Sequence, residues 1–355
     1  MSTQVSVSAS WLTEAAARLL SAAGLGASPA GVVAGSLVDA DMRGVSSHGV
    51  MLMPMYVERL RAGSVSPRTE AKLVADSGAL ALLDGGNMFG QISGDQAMSL
   101  AIEKAGRHGV GAVVVRHAFH FGGAFRYVAQ AADAGCIGIA AANTRPLMPA
   151  PGGAAAVVGN NPIAFGIPFS GGDPLVLDMA LSEVSLGKIR LAAQEGREIP
   201  ATWATDADGV ATTDAEAAID GMLLPAGGHK GYGLALVVDI LTGVLSGGGY
   251  GSHVKGLYAD TDVPNDCSHA FLALDIAALG DGDDFAGRLA DLVGQVSGSP
   301  RAPGAGPVLM PGQIEAERFA AARSAGVLVD PSVLDRLRTT AVELDVVLAE
   351  METTA

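Results

Sequence analysis

Hydrophobic positions recur with a helical period at both ends of the chain. Between residues 11 and 62 this period predicts helices, and the first has one apolar side formed by Trp11, Leu12, Ala15, Leu19 and Leu20. A polar stretch at 41–49 interrupts the pattern and predicts a loop, where functional groups often lie. At the other end, helices are predicted at about 313–324 and 331–350, after a Gly-, Pro- and Ser-rich loop at 296–312.

The central part of the chain alternates between short strand-like runs and helical segments. Strands are predicted at 71–74, 79–83, 111–115, 137–142, 155–168, 175–177 and 271–276, and helices at about 94–108, 125–134 and 183–195. This alternation indicates βαβ units and an α/β fold. We therefore expect an α/β core at 71–309, an N-terminal helical element at 1–70, and C-terminal helices at 310–355 that pack back on the N-terminal element.

The longest apolar run extends from Leu234 to Leu245 and contains Asp239. It is too short to cross a bilayer and predicts a buried helix at about 231–246, so we expect no membrane partner. The first 30 residues lack a basic segment followed by an apolar run, and we expect a cytoplasmic protein without a signal peptide. Two cysteines, Cys136 and Cys267, are too few for a disulfide framework.

Composition and charge narrow the class of protein further. Of the 355 residues, 49% are hydrophobic and 17% are charged, a balance that excludes an intrinsically disordered chain. The 37 acidic residues outnumber the 22 basic ones, and the net charge of −15 disfavours nucleic acid as a partner. A local basic pocket for a phosphorylated cofactor is compatible with this charge.

Two histidine motifs are candidates for acid–base chemistry. In the first, Ser47 precedes His48, and the pair is either a proton relay or a helix cap followed by a structural histidine. In the second, His117 and His120 follow a predicted strand and precede Gly122, where a ligand could approach the backbone. Their spacing also fits a metal pair, but no third ligand has a recognisable spacing, so no metal site is expected.

Several polar segments after predicted strands are candidates for cofactor contacts. They are Asn143-Thr144, Gly159-Asn160-Asn161-Pro162, Asp178-Met179-Ala180 and the glycine-rich segment GGHKGYG at 227–233. Strand ends are where α/β proteins bind ligands, and glycines with a lysine at a helix start suit a phosphate. Neither the P-loop pattern nor G-x-G-x-x-G after a strand is present, so an ordinary Rossmann site is not predicted.

These segments together resemble the malate/L-lactate dehydrogenase-like family of NAD(P)-dependent oxidoreductases, which includes ureidoglycolate and sulfolactate dehydrogenases and Δ1-piperideine-2-carboxylate reductase. The matching stretches occur in the family's order over nearly the whole chain: RGVSSHGV at 43–50, HFG at 120–122, NT at 143–144, NPIA at 161–164, LDMA at 177–180, GKI at 187–189, LP at 224–225, GHKGYGL at 228–234 and PGQ at 311–313. The resemblance implies a non-Rossmann nicotinamide-binding domain with a mixed sheet, flanked by N- and C-terminal helices. It also implies a homodimer in which both subunits contribute to each active site.

The resemblance implies roles for individual residues. Proton transfer falls to His120 or His48, with Ser47 beside the latter, and the family leaves open which histidine is the donor. Substrate contacts are expected from Arg43, Tyr56 and Asn161. Contacts to the cofactor, NAD or NADP, are expected from Gly122, Asn143, Thr144, Asp178, Met179, Ala180, Lys230 and Gly304.

Two departures from the family pattern bear on the substrate. Many members carry an arginine four residues after the histidine of the Ser-His-Gly motif, where this chain has Leu52. That arginine would hold a substrate carboxylate, which leucine cannot do, and Arg43 and Arg145 are the candidates to replace it. The second departure is Ala118, which stands where the family has a small polar residue before His120.

We therefore expect hydride transfer between a nicotinamide and a small 2-hydroxy acid or 2-oxo acid, with a histidine as acid or base. One alternative is a reductase of a cyclic imine or another unusual substrate, which Leu52 suggests. Another is a cofactor-binding relative that has lost catalysis, which the presence of both His48 and His120 disfavours.

Overall fold

The computed structural model describes residues 4–280 and 282–351. The helices are α1 (Ala9–Ala22), α2 (Ala27–Met42), α3 (Met53–Ala62), α4 (Gly90–His108), α5 (Phe125–Asp133), α6 (Leu186–Gln194), α7 (Ala215–Ile219), α8 (His229–Asp239), α9 (Gly282–Ser297), α10 (Gln313–Ala325) and α11 (Pro331–Glu343). The strands are β1 (Val5–Val7), β2 (Lys72–Ser77), β3 (Leu80–Asp84), β4 (Val110–Ala118), β5 (Cys136–Ala142), β6 (Met148–Pro149), β7 (Ala156–Val158), β8 (Ile163–Ile167), β9 (Leu175–Met179), β10 (Cys267–Asp275) and β11 (Val327–Val329). A π-helical turn at Ile240–Val244 continues α8.

A seven-stranded mixed sheet has the order β2-β3-β4-β10-β5-β8-β9. Within it β3 and β4 pair in parallel through α4, as predicted for a βαβ unit, and the other neighbours are antiparallel. β10 inserts between β4 and β5, so Phe271 lies opposite Val113 on one side and Ala140 on the other. The α/β class is confirmed, but the βαβ prediction is right for one unit, because a distant segment separates β4 from β5.

The two ends of the chain share one hydrophobic cluster. β1 and β11 form an antiparallel pair, with Val5 opposite Val329. The predicted apolar side of α1 is buried and packs with side chains of α2, α3 and α11. The Trp11 indole Nε1 donates a hydrogen bond to the Ala349 carbonyl oxygen at 3.1 Å. The domain boundaries at 70 and 310 remain a prediction.

The apolar helix predicted at about 231–246 corresponds to α8 and its π-helical turn, and only one side of it is buried against the rest of the chain. Its covered side includes Ala235, Val238 and Asp239. The other side exposes Leu234, Leu236, Val237, Ile240, Leu241, Val244 and Leu245. The prediction is therefore wrong for the single chain, because an apolar run indicates burial without indicating which surface provides it. No helix in the described part of the chain is long and apolar enough to cross a membrane.

Some element boundaries also differ from the prediction. α9 was not predicted, because its glycines weaken the helical pattern and it has no buried side chain among those described. In the structure, the loop predicted at 296–312 begins after Ser297, where α9 ends. α4 begins at Gly90 rather than Gly94, and β10 begins at Cys267 rather than Phe271. These two extensions matter because both bring residues to the site described below.

Candidate active site

One large cavity collects the segments that follow β4, β5 and β9. Its volume is about 950 Å³, near the upper end of the ~300–1,000 Å³ range typical of ligand pockets. The predicted site residues in its wall are Arg43, His48, His120, Gly122, Asn143, Thr144, Asp178, Met179 and Ala180. Other predicted residues do not line it: Ser47, Tyr56, Asn161, Lys230 and Gly304.

Two histidines face each other in this cavity. The rings of His48 and His120 are stacked, with their centroids 5.4 Å apart. His48 Nδ1 lies 3.0 Å from the Ser47 hydroxyl, and His120 Nδ1 lies 2.7 Å from the Tyr56 hydroxyl. In each ring, Nδ1 therefore has a partner within the protein and Nε2 is the nitrogen left for a ligand.

A buried tyrosine and glutamine orient His120 from behind. Tyr56 lies on α3, and its ring packs against Phe89 and Phe119 with centroid distances of 5.3 Å to each. The Tyr56 hydroxyl accepts a hydrogen bond from Gln91 Nε2 at 2.9 Å. Burial raises the pKa of Tyr56, so the hydroxyl keeps its proton. The structure thus places Tyr56 behind the imidazole and outside the cavity wall.

Burial favours the neutral form of both histidines. It lowers the pKa of His48. For His120, burial acts together with charge repulsion from His48 and His269 and lowers the pKa well below its ordinary value. A neutral imidazole is the form that accepts a proton, and an imidazolium of low pKa releases its proton readily. The pair therefore suits proton exchange with a bound substrate.

A carboxyl group on α2 holds the turn that carries Ser47 and His48. Asp41 Oδ2 accepts a hydrogen bond from the Val50 amide at 2.8 Å. Burial raises the pKa of Asp41 to about 7. The glycine of the motif, Gly49, is required here because a β-carbon at its position would lie 1.9 Å from Asp41 Oδ1.

Arg43 lies in the cavity wall close to two aromatic rings. Its Cζ is 4.9 Å from the Phe125 ring centroid and 4.6 Å from that of Phe319. Its Nε donates a hydrogen bond to Asp39 Oδ1 at 3.2 Å. Nε is therefore engaged and two rings lie within cation–π distance, which leaves the Nη atoms for a ligand.

The Asn143 side chain is used within the protein. Its Nδ2 donates to Asp239 Oδ1 and to the Gly249 carbonyl oxygen, both at 2.8 Å, and its Oδ1 accepts from the Ser268 amide at 2.7 Å. These bonds connect the end of β5 to α8 and β10. They also explain how Asp239 is accommodated inside an apolar run.

Asn161 is fully buried and supports the same segment. Its Oδ1 accepts from the Thr144 amide at 2.9 Å, and its Nδ2 donates to the Ala235 carbonyl oxygen at 2.8 Å. The Thr144 hydroxyl donates to Asn160 Oδ1 at 2.9 Å. The structure places Asn161 behind Thr144 and not in contact with the cavity.

Asp178 both caps a helix and lines the cavity. Its Oδ2 accepts a hydrogen bond from the Phe125 amide at 2.8 Å, at the start of α5. The Asp178 side chain is exposed to the cavity. Desolvation by the surrounding protein nevertheless raises the pKa of Asp178 to about 6, although the hydrogen bond from the Phe125 amide acts in the opposite direction. Gly122 precedes α5 with φ +77°, a conformation that favours glycine.

Two predicted cofactor contacts lie outside the cavity of the single chain. Lys230 is exposed in the first turn of α8, and Gly304 is exposed in the loop after α9. The possible metal pair is also separated. His117 Nδ1 lies 2.7 Å from Asp266 Oδ1, whereas His120 Nδ1 is engaged by Tyr56.

Sequence reasoning missed the contribution of β10. His269 and Cys267 line the cavity, and the His269 ring stacks on Phe121 with a centroid distance of 4.6 Å. Burial lowers the pKa of His269 to about 3, and its buried Nδ1 has no hydrogen-bond partner among the described residues. The available signal was a histidine within an apolar strand, but its position beside His120 depends on the insertion of β10.

A buried arginine also went unnoticed in the sequence. Arg59 is fully buried on α3, yet its donors reach only the Ser64 hydroxyl and carbonyl oxygens of one loop, those of Gly256, Leu257, Ala259 and Val263. Leu257 and its neighbour Tyr258 line the cavity. Arg59 therefore fixes the conformation of one cavity wall.

Comparison with known proteins agrees with this architecture. A sequence model of malate/L-lactate dehydrogenase matches residues 7–338. The chain is 40% identical over 294 residues to a malate dehydrogenase of Pyrococcus abyssi, covering 81% of this chain and 80% of that protein. Its structure is similar to a sulfolactate dehydrogenase from Methanocaldococcus jannaschii, with a TM-score of 0.91, 33% identity and coverage of 97% and 98% of the two chains. It is also similar to a Δ1-piperideine-2-carboxylate reductase from Pseudomonas syringae, with a TM-score of 0.85, 30% identity and coverage of 95% and 99%.

The fold and these relatives define the protein as an NAD(P)-dependent oxidoreductase. It belongs to the malate/L-lactate dehydrogenase family, as the sequence resemblance predicts.

Proposed function

We propose that this protein interconverts a small 2-hydroxy acid and its 2-oxo acid, with His120 as the acid–base residue. The observation that carries the proposal is the stacked pair of His48 and His120 inside the large cavity, with His120 oriented by Tyr56. The names of the relatives, malate and sulfolactate dehydrogenases, support this class of substrate.

The cavity residues fit a nicotinamide dinucleotide. Gly122 presents backbone without a side chain, and the buried His269 Nδ1 is a polar atom without a partner among the described residues. The residues that would hold the cofactor are Gly122, Thr144 and the segment at 178–180, with the Nη atoms of Arg43 available to a phosphate. A bound nicotinamide supplies or accepts the hydride. The mostly antiparallel sheet and the missing Gly-rich fingerprint support a non-Rossmann mode of binding.

His120 exchanges the proton through Nε2. In oxidation, this atom takes the hydroxyl proton of the substrate, because the low pKa keeps the ring neutral and ready to accept it. In reduction, the same atom returns the proton to the developing alkoxide. Tyr56 and Gln91 hold the ring in place during both steps. His48, the other ring of the stacked pair, positions the substrate. Its Nδ1 is held by the Ser47 hydroxyl.

A homodimer forms part of the proposal. The exposed apolar side of α8 and the following turn is the surface that a second copy would cover. Lys230 lies at the start of that helix, and in this proposal dimerisation brings it to the partner's site. We also retain the cytoplasmic location as a prediction.

The test separates cofactor binding from catalysis. Fluorescence titration with NADH and NADPH first measures which cofactor binds, and turnover of 2-oxo acids is then followed by nicotinamide absorbance. We expect His120→Asn to lower kcat by about 10²–10⁴-fold with unchanged cofactor affinity. Full turnover by that variant would move the acid–base role to His48. A folded protein that binds neither cofactor would contradict the proposal and favour an inactive relative.

Reduction of a cyclic imine is the second candidate function. The structural similarity to the piperideine carboxylate reductase favours it, because that protein has the same fold at 30% identity. The substrate panel therefore includes Δ1-piperideine-2-carboxylate beside the 2-oxo acids. A preference for the imine would replace the first candidate.

A further inference from the structure

Three arginines in the cavity wall, Arg145, Arg190 and Arg323, form no salt bridge with a described carboxylate. Arg145 follows β5, and Arg190 lies on α6, and both line the cavity that contains His48 and His120. Every salt bridge found within residues 4–280 and 282–351 involves other side chains. In a chain with 37 acidic residues, guanidiniums without a carboxylate partner in this cavity need an explanation.

The charges of Arg145 and Arg190 influence each other. Burial and the nearby charge of Arg190 lower the pKa of Arg145. The Arg145 side chain lies against the neighbouring loop, since a β-carbon on Gly256 would be 3.2 Å from Arg145 Cδ. Lys255 in that loop lines the same cavity. Because like charges repel, an anion bound by both guanidiniums would relieve an unfavourable interaction.

The other candidate positions for a substrate anion are less suitable than this pair. Leu52, which stands where many relatives have arginine, is 2% exposed and packs in the N-terminal core. Arg43 is bonded to Asp39, and its Nη atoms are assigned above to a cofactor phosphate. Arg323 lies on α10, the helix that also contributes the acidic Glu315 to the cavity. The acidic side chains of the cavity come from other elements, namely α5, α10 and the β9 region: Asp133, Asp173, Asp178 and Glu315.

We propose that Arg145 and Arg190 bind the anionic groups of the substrate and select 2-oxo or 2-hydroxy acids that carry a second negative charge. The inference rests on the proposed function, because it concerns the substrate of that reaction. A guanidinium offers a planar pair of donors that matches a carboxylate or sulfonate, so two of them match two such groups. A cofactor phosphate shares this chemistry, and the test distinguishes the two sources.

The test compares the binding of succinate and succinamate, which have nearly the same shape but differ by one negative charge. Neither ligand has to react, so binding is measured without turnover. Calorimetry on the full chain, with and without saturating NADH or NADPH, measures both affinities. The variants are Arg145→Gln and Arg190→Gln, with Arg145→Lys as the variant that keeps the charge. Arg197→Gln is the matched control, because Arg197 follows α6 but does not line the cavity.

We expect the wild type to bind succinate at least about tenfold more tightly than succinamate, and either Gln variant to reduce this preference below about threefold. Arg145→Lys should retain part of the preference, and the control should retain all of it. Cofactor affinity should change by less than about twofold. An unchanged preference in both Gln variants, no preference in the wild type, or a loss of cofactor affinity instead would overturn the proposal.

The outcomes for this inference and for the proposed function are separable. A preference for succinate that depends on both arginines, in a chain that turns over none of the substrates, would contradict the proposed function alone. Turnover of 2-oxo acids without that preference would contradict the anion site alone.

Discussion

The histidine pair depends on side chains that do not reach the cavity. Tyr56 and Gln91 determine how His120 is oriented, and Asp41 determines the shape of the turn before Val50. None of these three residues lines the cavity wall. Their contribution is to hold reactive groups in place, which is a requirement for efficient proton transfer.

Tyr56→Phe tests this positioning role. The substitution keeps the packed ring but removes the hydroxyl that binds His120 Nδ1 and Gln91 Nε2. We expect stability to fall by about 1–3 kcal/mol, because a buried amide loses its partner. We also expect kcat/KM to fall by about 10- to 100-fold, with a shift of its pH profile. Tyr250→Phe, exposed and outside the cavity, is the control, and a loss of stability without a shifted profile would indicate a purely structural role.

Asp41→Asn should change how stability depends on pH. The folded chain holds the Asp41 proton up to about pH 7, whereas the unfolded chain releases it near pH 3.8. The folded state therefore binds more protons in this window, and the contribution of Asp41 to the free energy of unfolding decreases as pH rises from about 4 to 7. Asparagine cannot ionise but still accepts from the Val50 amide. Thermal unfolding should show the variant gaining stability relative to wild type across this window, and a constant difference would contradict the expectation.

At the level of elements, one glycine allows α4 to pack closely against the segment that follows β4. A β-carbon on Gly90 would lie 2.2 Å from the Phe119 carbonyl oxygen and 2.7 Å from Phe121 Cα, on either side of His120. The first turn of α4 therefore packs directly against the segment that carries the acid–base residue.

Gly90→Ala should therefore damage both stability and activity. We expect a loss of about 1–3 kcal/mol from overpacking and a lower kcat, because the His120 segment must move. Gly106→Ala is the matched control on the same helix, since its β-carbon would meet no atom within 4 Å. That variant should gain about 0.5–1 kcal/mol and keep full activity. Chemical denaturation and steady-state kinetics on both variants provide the measurement, and equal effects would contradict the packing argument.

For the whole molecule, the exposed side of α8 and its π-helical turn predicts self-association. Leu241→Glu places a charge in the middle of this apolar surface, where Leu241 is 47% exposed. We expect the variant to fold as a monomer with unchanged secondary structure, whereas the wild type is a dimer by analytical ultracentrifugation. Leu279→Glu, at a residue that is 90% exposed elsewhere, should remain dimeric. A monomeric wild type would contradict this expectation.

Much of the protein was determined by local sequence. The helical period of α1, the strand–helix alternation and the motifs around His48, His120 and Asp178 depend on residues close together in the chain, so their patterns are visible without a structure. The resemblance to the family, which the comparisons confirm, rests on the same short motifs.

The tertiary structure alone decided which residues meet. β10 brings His269 beside His120 from a distant part of the chain, and buried hydrogen bonds assign Tyr56 and Asn161 to supporting positions. It also left one side of the α8 helix uncovered and placed Arg145 and Arg190 in one cavity. These contacts join segments far apart in sequence, and burial depends on which surfaces finally pack, a property that periodicity and composition do not encode.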